Sequence, residues 1–323
     1  MDLISIVVPC YNEEESLPLF LDALANVARN MQERHDISFE VVLVDDGSSD
    51  GTLTLMKRAS AKEDGSAYAP LNVRWISFSR NFGKEAGILA GLKHARGDYV
   101  ALMDADLQDP PSLLPEMYET LLTEDYDNVA TRRVNRDGEP PVRSFFARMF
   151  YKLINRISKA DIVDGARDFR LMKRPMVDAI LSLSEYNRFS KGIFGWVGFK
   201  TKWLPYVNVE RAAGETKWNF FSLLLYSIDG IVAFSTVPLS IASVMGILLC
   251  FAALVGVIFI VVKTLAFGDP VEGWPSLACL ITLLGGIQLL CLGIMGQYLA
   301  KTYLETKHRP PYIVRESSDD SDH

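Results

Sequence analysis

The chain has 323 residues, enough for one large domain or two ordinary ones. Hydrophobic residues make up 49% of it and charged residues 23%, which is a high apolar content for a soluble protein. The net charge of −7 argues against a nucleic-acid-binding protein, and the spacing of the four cysteines argues against a zinc site or a disulfide framework.

Short β-type runs alternate with amphipathic helical patterns as far as Thr131. The predicted strands are Ile4–Val8, Phe39–Val44, Val73–Phe78, Tyr99–Met103 and Asp127–Thr131. The predicted helices are Ser16–Arg34, Thr52–Lys62, Lys84–His94 and Ser112–Leu122. Strands separated by single helices require crossover connections, so the pattern predicts an α/β fold with a Rossmann-like, mostly parallel sheet. Ligands of such sheets bind outside the carboxyl ends of the strands.

The later helical patterns point to a membrane. Arg143–Ser158 is basic and amphipathic, which suits an anionic membrane surface and equally a helix packed on the sheet with solvated arginines. Lys217–Phe234 is a second, mostly apolar helix. Leu239–Val262 and Ser276–Ala300 hold 24 and 25 residues without Asp, Glu, Lys or Arg. Because about 20 apolar residues cross a bilayer core, both are predicted to span it, with a pair of buried core helices as the alternative.

The flanks of these spans predict their orientation. No secretory signal precedes the first strand, and the connector Lys263–Pro275 has a single lysine, whereas basic residues such as Lys217 and Lys301 lie outside it. We therefore expect both termini in the cytoplasm and the connector outside. The acidic end of the chain, from Glu316 onward, is predicted to be disordered.

Polar segments follow three of the predicted strands. Pro9–Glu13 follows the first, Val44–Asp50 spans the end of the second, and Asp104-Ala105-Asp106 follows the fourth. If the three segments meet at one edge of the sheet, they predict a pocket for a nucleoside diphosphate and a divalent cation. Hard cations are bound by carboxylate oxygens together with substrate phosphates. Each segment alone is also an ordinary turn. The absence of G-x-x-x-x-G-K-[ST], and of G-x-G-x-x-G after the first strand, argues against an ATPase or a dinucleotide oxidoreductase.

Seven segments together carry a family resemblance. They are P-C-Y-N-E, V-D-D-G-S-S-D-G-T, S-R-N-F-G-K-E-A, D-A-D-L-Q-D-P-P, R-D-F-R-L-M, R-A-A-G-E-T-K-W and F-S-T-V-P-L. Over residues 3–315 the chain resembles the family 2 glycosyltransferases of the polyprenyl-phosphate type, which include dolichyl-phosphate mannose synthase, and most of all the bacterial bactoprenol glucosyltransferases. The resemblance implies a glycosyltransferase A-type fold, a nucleotide-sugar donor, and a multi-pass protein of the bacterial inner membrane with a cytoplasmic catalytic domain.

The resemblance also implies roles for residues of the donor site. The residues that would hold the uridine are Pro9, Tyr11, Asn12 and Glu13. Asp45 would bind the uracil or its ribose. The residues that would ligate Mg²⁺ or Mn²⁺ are Asp106 and Gln108, with Asp104 contacting the ribose or the metal and Ala105 lying between the two carboxylates. Lys84 would contact the donor, and its alternative is a solvated lysine at a helix start.

On the acceptor side the resemblance implies a lipid monophosphate. Such a group, with a second pKa of about 6, is largely ionised at pH 7, so it needs cations rather than a strong base. The candidate cations are Arg132, Arg133, Arg136, Arg211 and Lys217. Lys217 is the preferred contact, and simple membrane anchoring is its alternative. Asp168 is the predicted catalytic residue beside Asp106, and a structural Asp–Arg pair in D-F-R is its alternative.

The sequence therefore predicts an inverting, metal-dependent transfer of glucose from UDP-glucose to undecaprenyl phosphate. GDP-mannose, a UDP-N-acetylhexosamine or a UDP-aminoarabinose derivative remain alternative donors. A processive synthase lacks support, because the chain has two spans and no Q-x-x-R-W motif. A membrane-anchored nucleotide-sugar sensor or a flippase component is the non-enzyme alternative. The resemblance also points to a homo-oligomer, with a tetramer expected.

The predicted organisation has six parts. They are a catalytic domain at 1–210 including the amphipathic helix 143–158, a juxtamembrane segment at 211–237, spans at 238–263 and 276–300, a periplasmic connector at 264–275, and a cytosolic tail at 301–323.

Overall fold

A computed structural model describes residues 1–61, 68–133, 165–206, 237–267 and 273–319. The strands are β1 (Asp2–Cys10), β2 (Ile37–Asp45), β3 (Leu71–Phe78), β4 (Tyr99–Leu102), β5 (Asn128–Arg133), β6 (Ala166–Lys173), β7 (Thr201–Tyr206) and β8 (Val314–Ser317). The helices are α1 (Leu17–Gln32), α2 (Thr52–Ser60), α3 (Lys84–His94), α4 (Leu114–Thr123), α5 (Arg174–Ser182), α6 (Ser190–Trp196), α7 (Val237–Phe267) and α8 (Trp274–Thr306).

The described strands form one sheet in the order β7-β5-β6-β4-β1-β2-β3-β8. β1 pairs in parallel with β2 and β4, β2 pairs in parallel with β3, and β5 pairs in parallel with β7. β6 runs antiparallel to β4 and β5, and β8 runs antiparallel to β3. The prediction of an α/β fold with a mostly parallel sheet is therefore confirmed. Because β6 is reversed, its first residues lie at the edge where β4 ends.

Helices cover both faces of the central strand β1. Ile6 and Val8 belong to a core that includes Phe20 of α1, while Val7 packs in a second core with Ile88 of α3. Successive strand residues point to opposite faces, so burial on both sides explains the nearly continuous apolar run of this strand. The loops at the carboxyl edge of the sheet are left uncovered by these helices.

Most predicted elements agree with the structure to within a few residues. α3 spans Lys84–His94, as predicted. The helix expected at Ser112–Leu122 instead begins as a 3₁₀ turn, Pro111–Leu113, and continues as α4 with Pro115 in its first turn. Proline has no backbone N–H, so it is tolerated where a helix begins. β6, β7 and β8 had no counterpart among the predicted strands.

The prediction that the acidic end is disordered is wrong as far as residue 319. β8 pairs with the edge strand β3, and the Ser318 N–H donates to the Trp75 carbonyl at 2.9 Å. Asp319 forms an ion pair with Arg74 at 2.5 Å, and Glu316 forms one with Lys57 at 2.6 Å. The acidic side chains are countercharges for basic residues of β3 and α2, and the strand satisfies backbone groups that an edge would expose.

Two long apolar helices follow the domain along the chain. α7 and α8 extend beyond the predicted spans, and both are long and apolar enough to cross a membrane. Their side chains are largely exposed, with Leu265 84% and Leu289 71% exposed. The predicted connector 264–275 begins inside α7 and ends inside α8. The predicted helices Arg143–Ser158 and Lys217–Phe234 lie outside the described residues.

Candidate active site at the carboxyl edge of the sheet

The loops that follow β1 and β2 are joined by hydrogen bonds. The Asn12 N–H donates to Ser48 Oγ at 3.0 Å, and the Ser49 N–H donates to Asn12 Oδ1 at 2.8 Å. The Glu13 N–H donates to Thr52 Oγ1 at 2.8 Å. Asn12 has a left-handed backbone, φ 56°, which asparagine adopts more readily than most residues. Two of the predicted uridine-binding residues therefore belong to a loop with a fixed conformation.

The other residues of this segment lie at the same edge. Pro9 is the second-last residue of β1 and pairs with Val44 of β2. Tyr11 exposes 40% of its surface, so its ring is accessible from solvent. The Glu13 carboxylate accepts a hydrogen bond from the Ser16 hydroxyl at the start of α1. The structure thus brings Pro9, Tyr11, Asn12 and Glu13 to the carboxyl edge of the sheet.

Asp45, at the end of β2, is a loop anchor. Its Oδ1 accepts a hydrogen bond from the Ser48 N–H at 2.9 Å, and its Oδ2 accepts one from Ser77 Oγ at 2.7 Å. The residue is 1% exposed. These contacts fix the turn after β2, and contact with a nucleobase or ribose stays a prediction.

Asp46, which the sequence analysis did not single out, holds the loop before α3. Its carboxylate accepts hydrogen bonds from the N–H groups of Phe82 at 2.6 Å and Gly83 at 2.9 Å, and burial raises its pKa. Gly47 next to it has φ +68°, and a Cβ there would lie 2.5 Å from the Arg80 carbonyl carbon. Only glycine allows this close approach, so the two loops together fix where α3 begins.

The acidic segment after β4 forms a tight turn. Asp106 Oδ1 accepts a hydrogen bond from the Gln108 N–H at 3.1 Å. Leu107 between them has φ 57°, a left-handed conformation that costs a residue other than glycine about 1–2 kcal/mol. Ala105 is buried, with 2% exposed, whereas Asp104 keeps 26% of its side chain exposed. The turn thus separates two carboxylates by one small core residue.

Lys84 joins the acidic segment to β6. Its Nζ lies 2.8 Å from the Asp104 carboxylate and 2.5 Å from Asp168 Oδ2. Lys84 keeps 44% of its side chain exposed; desolvation of its ammonium acts to lower the pKa, but the charges of Asp104 and Asp168 outweigh it and raise the Lys84 pKa. Burial likewise acts to raise the Asp168 pKa, but the charges of Lys84 and Lys191 lower it overall. Asp168 is therefore an ionised carboxylate at neutral pH.

A second cluster, missed by the sequence analysis, holds Gln108. Arg167 of β6 donates from Nη2 to Gln108 Oε1 at 2.9 Å and from Nε to Asp109 Oδ1 at 3.2 Å. The Tyr206 hydroxyl donates to the same oxygen of Asp109. Asp109 is 1% exposed, and its Oδ2 has no hydrogen-bond partner among the described residues. These residues come from three separate segments, so no local sequence pattern predicts their contacts. Only Asp109 lies within one of the segments that carry the resemblance, D-A-D-L-Q-D-P-P.

Arg170 does not form the side-chain pair with Asp168 that the alternative interpretation required. Its Nε donates to the Asp168 backbone carbonyl at 3.3 Å, and its guanidinium lies 3.6 Å from the ring centre of Phe194. Burial lowers its pKa to about 10. The Asp168 carboxylate is bound by Lys84 instead, so the alternative of an Asp168–Arg170 side-chain ion pair is not what the structure contains.

The candidate acceptor cations are described only in part. Arg132 pairs in register with Ala166 at the start of β6, which places its backbone two residues along that strand from Asp168. Arg133 is the last residue of β5. Arg136, Arg211 and Lys217 lie outside the described residues. The chain thus brings one exposed arginine to the edge that carries Asp168.

The acidic residues fit a divalent cation that takes part of its ligands from a substrate. Within the described ranges, no group of three or more His, Cys, Asp or Glu side chains could hold a metal ion. Asp104 and Asp106 nevertheless place two carboxylates, which are hard ligands, at the sheet edge, and beside them lies the amide oxygen of Gln108, which accepts a hydrogen bond from Arg167. Mg²⁺ is commonly bound by one or two carboxylates plus substrate phosphates, so the donor set suits a cation that arrives with a diphosphate.

Comparisons with known proteins agree with one another. A model of the family described as glycosyl transferase family 2 matches residues 5–181. A bactoprenol glucosyl transferase of Shigella phage SfV is 40% identical over 97% of this chain and 98% of its own length. A prophage bactoprenol glucosyl transferase homolog of Escherichia coli strain K12 has the same identity and coverage. The solved glucosyl-3-phosphoglycerate synthase from Mycobacterium tuberculosis, with Mn²⁺, UDP-glucose and phosphoglyceric acid, is 18% identical, with a TM-score of 0.45 over 72% of this chain and 78% of that one. This last likeness is too low to carry an argument about the site.

Proposed function

This chain belongs to glycosyl transferase family 2 and is a glycosyltransferase, and from that premise we propose that it transfers glucose from UDP-glucose to undecaprenyl phosphate. The observation that carries the proposal is the meeting of Asp104 and Asp168 around Lys84, beside the joined loops of β1 and β2. The acceptor is proposed because relatives that are 40% identical over nearly the full chain are named bactoprenol glucosyl transferases.

The donor lies across the carboxyl edge in this proposal. The residues that hold its uridine are Pro9, Tyr11, Asn12 and Glu13. Asp45 anchors the same loops and is the proposed contact to the uracil or ribose. Asp104, Ala105 and Asp106 lie along the diphosphate, and Lys84 and Arg167 add fixed positive charge nearby. Such charges stabilise a leaving diphosphate because they need no reorganisation as its negative charge develops.

The proposed reaction is a single displacement. A phosphate oxygen of the acceptor forms a bond to the anomeric carbon, the bond from that carbon to the diphosphate breaks, and UDP leaves, which inverts the configuration. Asp104, Asp106 and Gln108 would hold Mg²⁺ or Mn²⁺, which would offset the negative charge on the leaving diphosphate. An ionised phosphate has no proton to lose, so the proposed role of Asp168 needs no basic pKa, in agreement with its lowered pKa. Because a carboxylate and a phosphate repel each other, Asp168 orients the acceptor in this proposal through the ammonium of Lys84, which it binds.

The acceptor reaches this edge from a membrane. We assign its phosphate to Arg132, Arg133, Arg136, Arg211 and Lys217. In this proposal α7 and α8 span the bacterial inner membrane, the catalytic domain lies on the cytoplasmic side, and the protein is a homotetramer. The length and apolar surface of the two helices support the assignment to the membrane.

Sugar transfer by the purified full chain in mild detergent tests the function. The protein is incubated with UDP-glucose, GDP-mannose or UDP-N-acetylglucosamine and a short polyprenyl phosphate, with and without EDTA. We expect a glucosyl-lipid by mass spectrometry, an inverted anomeric configuration by NMR, and no product in EDTA. Full turnover in EDTA contradicts the metal, a different sugar on the lipid contradicts the donor, and no transfer to any polyprenyl phosphate contradicts the acceptor.

A further inference from the structure

Lys84 occupies the space between two carboxylates that come from neighbouring strands. Leu102, the last residue of β4, pairs with Arg170 of the antiparallel strand β6. Asp104 lies two residues after Leu102, and Asp168 lies two residues before Arg170, so both follow at the same edge. Lys84 reaches both from the first residue of α3. The position of Lys84 is itself fixed, because Asp46 binds the N–H groups just before it. The ammonium group of Lys84 therefore has a defined position at this edge, between the carboxylates of Asp104 and Asp168.

The contacts of Lys84 affect what else can bind Asp104. Two carboxylates facing each other repel, and one ammonium between them offsets part of that repulsion. A divalent cation on Asp104 would meet the same ammonium at close range, and two positive charges on one carboxylate repel each other. A diphosphate brought in with the cation supplies the negative charge that removes this conflict.

We propose that Lys84 is a positioning residue that holds Asp104 and Asp168 together in the empty site and keeps a lone divalent cation off Asp104. The cation then enters only together with the nucleoside diphosphate. This inference rests on the proposed metal-dependent function and adds an order of binding to it. It differs from a plain donor contact, in which Lys84 strengthens the binding of the nucleotide and has no effect on the metal alone.

Titration of the full chain with Mn²⁺, followed by the EPR signal of the free ion, tests the proposal without any turnover. In the absence of nucleotide, Lys84→Met is expected to bind Mn²⁺ at least about tenfold more tightly than the wild type, a difference of about 1.4 kcal/mol. Lys84→Gln keeps hydrogen-bonding atoms but loses the charge, so it is expected to behave in the same way and serves if Lys84→Met does not fold. Lys84→Arg keeps the charge and is expected to match the wild type.

Two controls locate the effect. Lys93→Met removes an exposed lysine from the last turn of the same helix and is expected to change nothing. Adding Asp104→Asn to Lys84→Met is expected to abolish the gain in Mn²⁺ affinity, because the freed ligand is then missing. A gain that survives this second substitution overturns the proposal, since the metal would be bound elsewhere.

The outcomes also separate this inference from the function beneath it. If Mn²⁺ binds with UDP present but neither Lys84→Met nor Lys84→Gln gains affinity without UDP, the role of Lys84 is overturned and the metal-dependent function stands. If no Mn²⁺ binds even with UDP present, both are overturned. If the two variants instead lose UDP affinity in EDTA with no gain for the metal, Lys84 is a donor contact only.

Discussion

At the scale of single residues, Asp106 tests the metal directly. Asp106→Asn removes one of the two charges that the acidic turn offers to a cation, so turnover is expected to fall at least about a hundredfold, an increase in the barrier of about 2.7 kcal/mol. The Gln108 N–H can still donate to the amide oxygen, so the fold is expected to persist. Sugar transfer and circular dichroism measure the two effects. Asp125→Asn, a substitution of an exposed aspartate remote from this edge, is the matched control.

Asp168 separates the acceptor side of the site from the donor side. Asp168→Asn is expected to lower kcat at least about tenfold, while the Kd of UDP stays within about a factor of two, or about 0.4 kcal/mol. The reason is that its carboxylate is proposed to orient the acceptor. Steady-state kinetics and calorimetric titration with UDP provide both numbers. A tenfold loss of UDP affinity would place Asp168 in the donor pocket, and an unchanged kcat would leave it a purely structural partner of Lys84.

The sequence could predict which residues gather here but not how they contact each other. Parallel strands bring their polar ends to one edge, so Asp45, Asp104 and Asp106 followed from the strand pattern alone. The contact of Lys84 with Asp168 joins residues 84 positions apart, and it depends on β6 running antiparallel. Arg167 and Asp109 meet Tyr206 in the same long-range way, and no local periodicity encodes such a contact.

At the scale of elements, β8 completes an edge that β3 would otherwise expose. The ion pair of Asp319 with Arg74 contributes a stability that depends on pH. The hydrogen bond from Arg74 lowers the pKa of Asp319 and outweighs the opposing effect of burial. Because the pKa of Asp319 is lower in the folded chain than in the unfolded chain, the ion pair stabilises the fold above the ordinary aspartate pKa of about 3.9. This stabilisation is lost as the pH falls through the pKa that Asp319 has in the folded chain. Asp319 is 39% exposed, so the contribution is discounted to about 1 kcal/mol or less.

Asp319→Asn is therefore expected to lower Tm by a few degrees at pH 7, and the difference from the wild type is expected to shrink below about pH 4. Thermal unfolding of the full chain at several pH values measures it. Asp36→Asn, which also removes an aspartate near a positive group but leaves β8 untouched, is the control. A difference in Tm that is the same at pH 3 and pH 7 would show that the ion pair with Arg74 is not its source.

The prediction that the acidic tail is disordered was based on its composition alone, and it is wrong as far as residue 319. The residues directly next to Glu316 and Asp319 are polar and do not mark a strand, but Arg74 of β3 and Lys57 of α2 provide countercharges for the two carboxylates. Tyr312 stacks on Phe78 with ring centres 4.9 Å apart. These partners lie more than 200 residues away, so the strand is stable only in the presence of the folded sheet.

At the scale of the whole molecule, Glu305 connects the end of α8 to the catalytic domain by hydrogen bonds. Its carboxylate accepts hydrogen bonds from the N–H groups of Tyr186 at 3.0 Å and Asn187 at 3.1 Å. Ser190, just beyond that loop, donates to Glu85, the neighbour of Lys84. A short series of contacts therefore connects the end of an apolar helix to the site.

Glu305→Ala is expected to release this loop. Hydrogen bonds to a charged acceptor contribute about 1.5–3 kcal/mol, so the amides of Tyr186 and Asn187 are expected to exchange with deuterium at least about tenfold faster. Transfer to a long-chain acceptor is expected to slow, while UDP affinity is retained. Glu116→Ala, the same substitution at an exposed acid of α4, is the matched control. Unchanged exchange at the two amides would mean that other contacts hold the loop.

Self-association is expected to use the glycines of α8. A Cβ added at Gly293 or Gly296 meets nothing within 4 Å in the single chain, so this helix face is not packed against the described parts of the same molecule. Small residues let apolar helices approach closely in a membrane. Gly293→Leu is expected to weaken the proposed tetramer in mild detergent, as measured by light scattering, without changing UDP affinity, as measured by calorimetric titration. A wild-type chain that is monomeric in detergent and in native membranes would contradict the tetramer.

The place of β8 in the chain has a consequence for biosynthesis. The ribosome makes β3 before both apolar helices and makes β8 after them, so the sheet keeps an open edge throughout the synthesis of more than half the chain. In the proposed topology this edge closes only when α8 has been threaded back to the cytoplasmic side. A chain whose second helix fails to insert correctly therefore cannot complete its catalytic domain. In that topology a misinserted chain is expected to leave β3 as an unpaired edge strand, which can pair with a strand of another chain and promote aggregation.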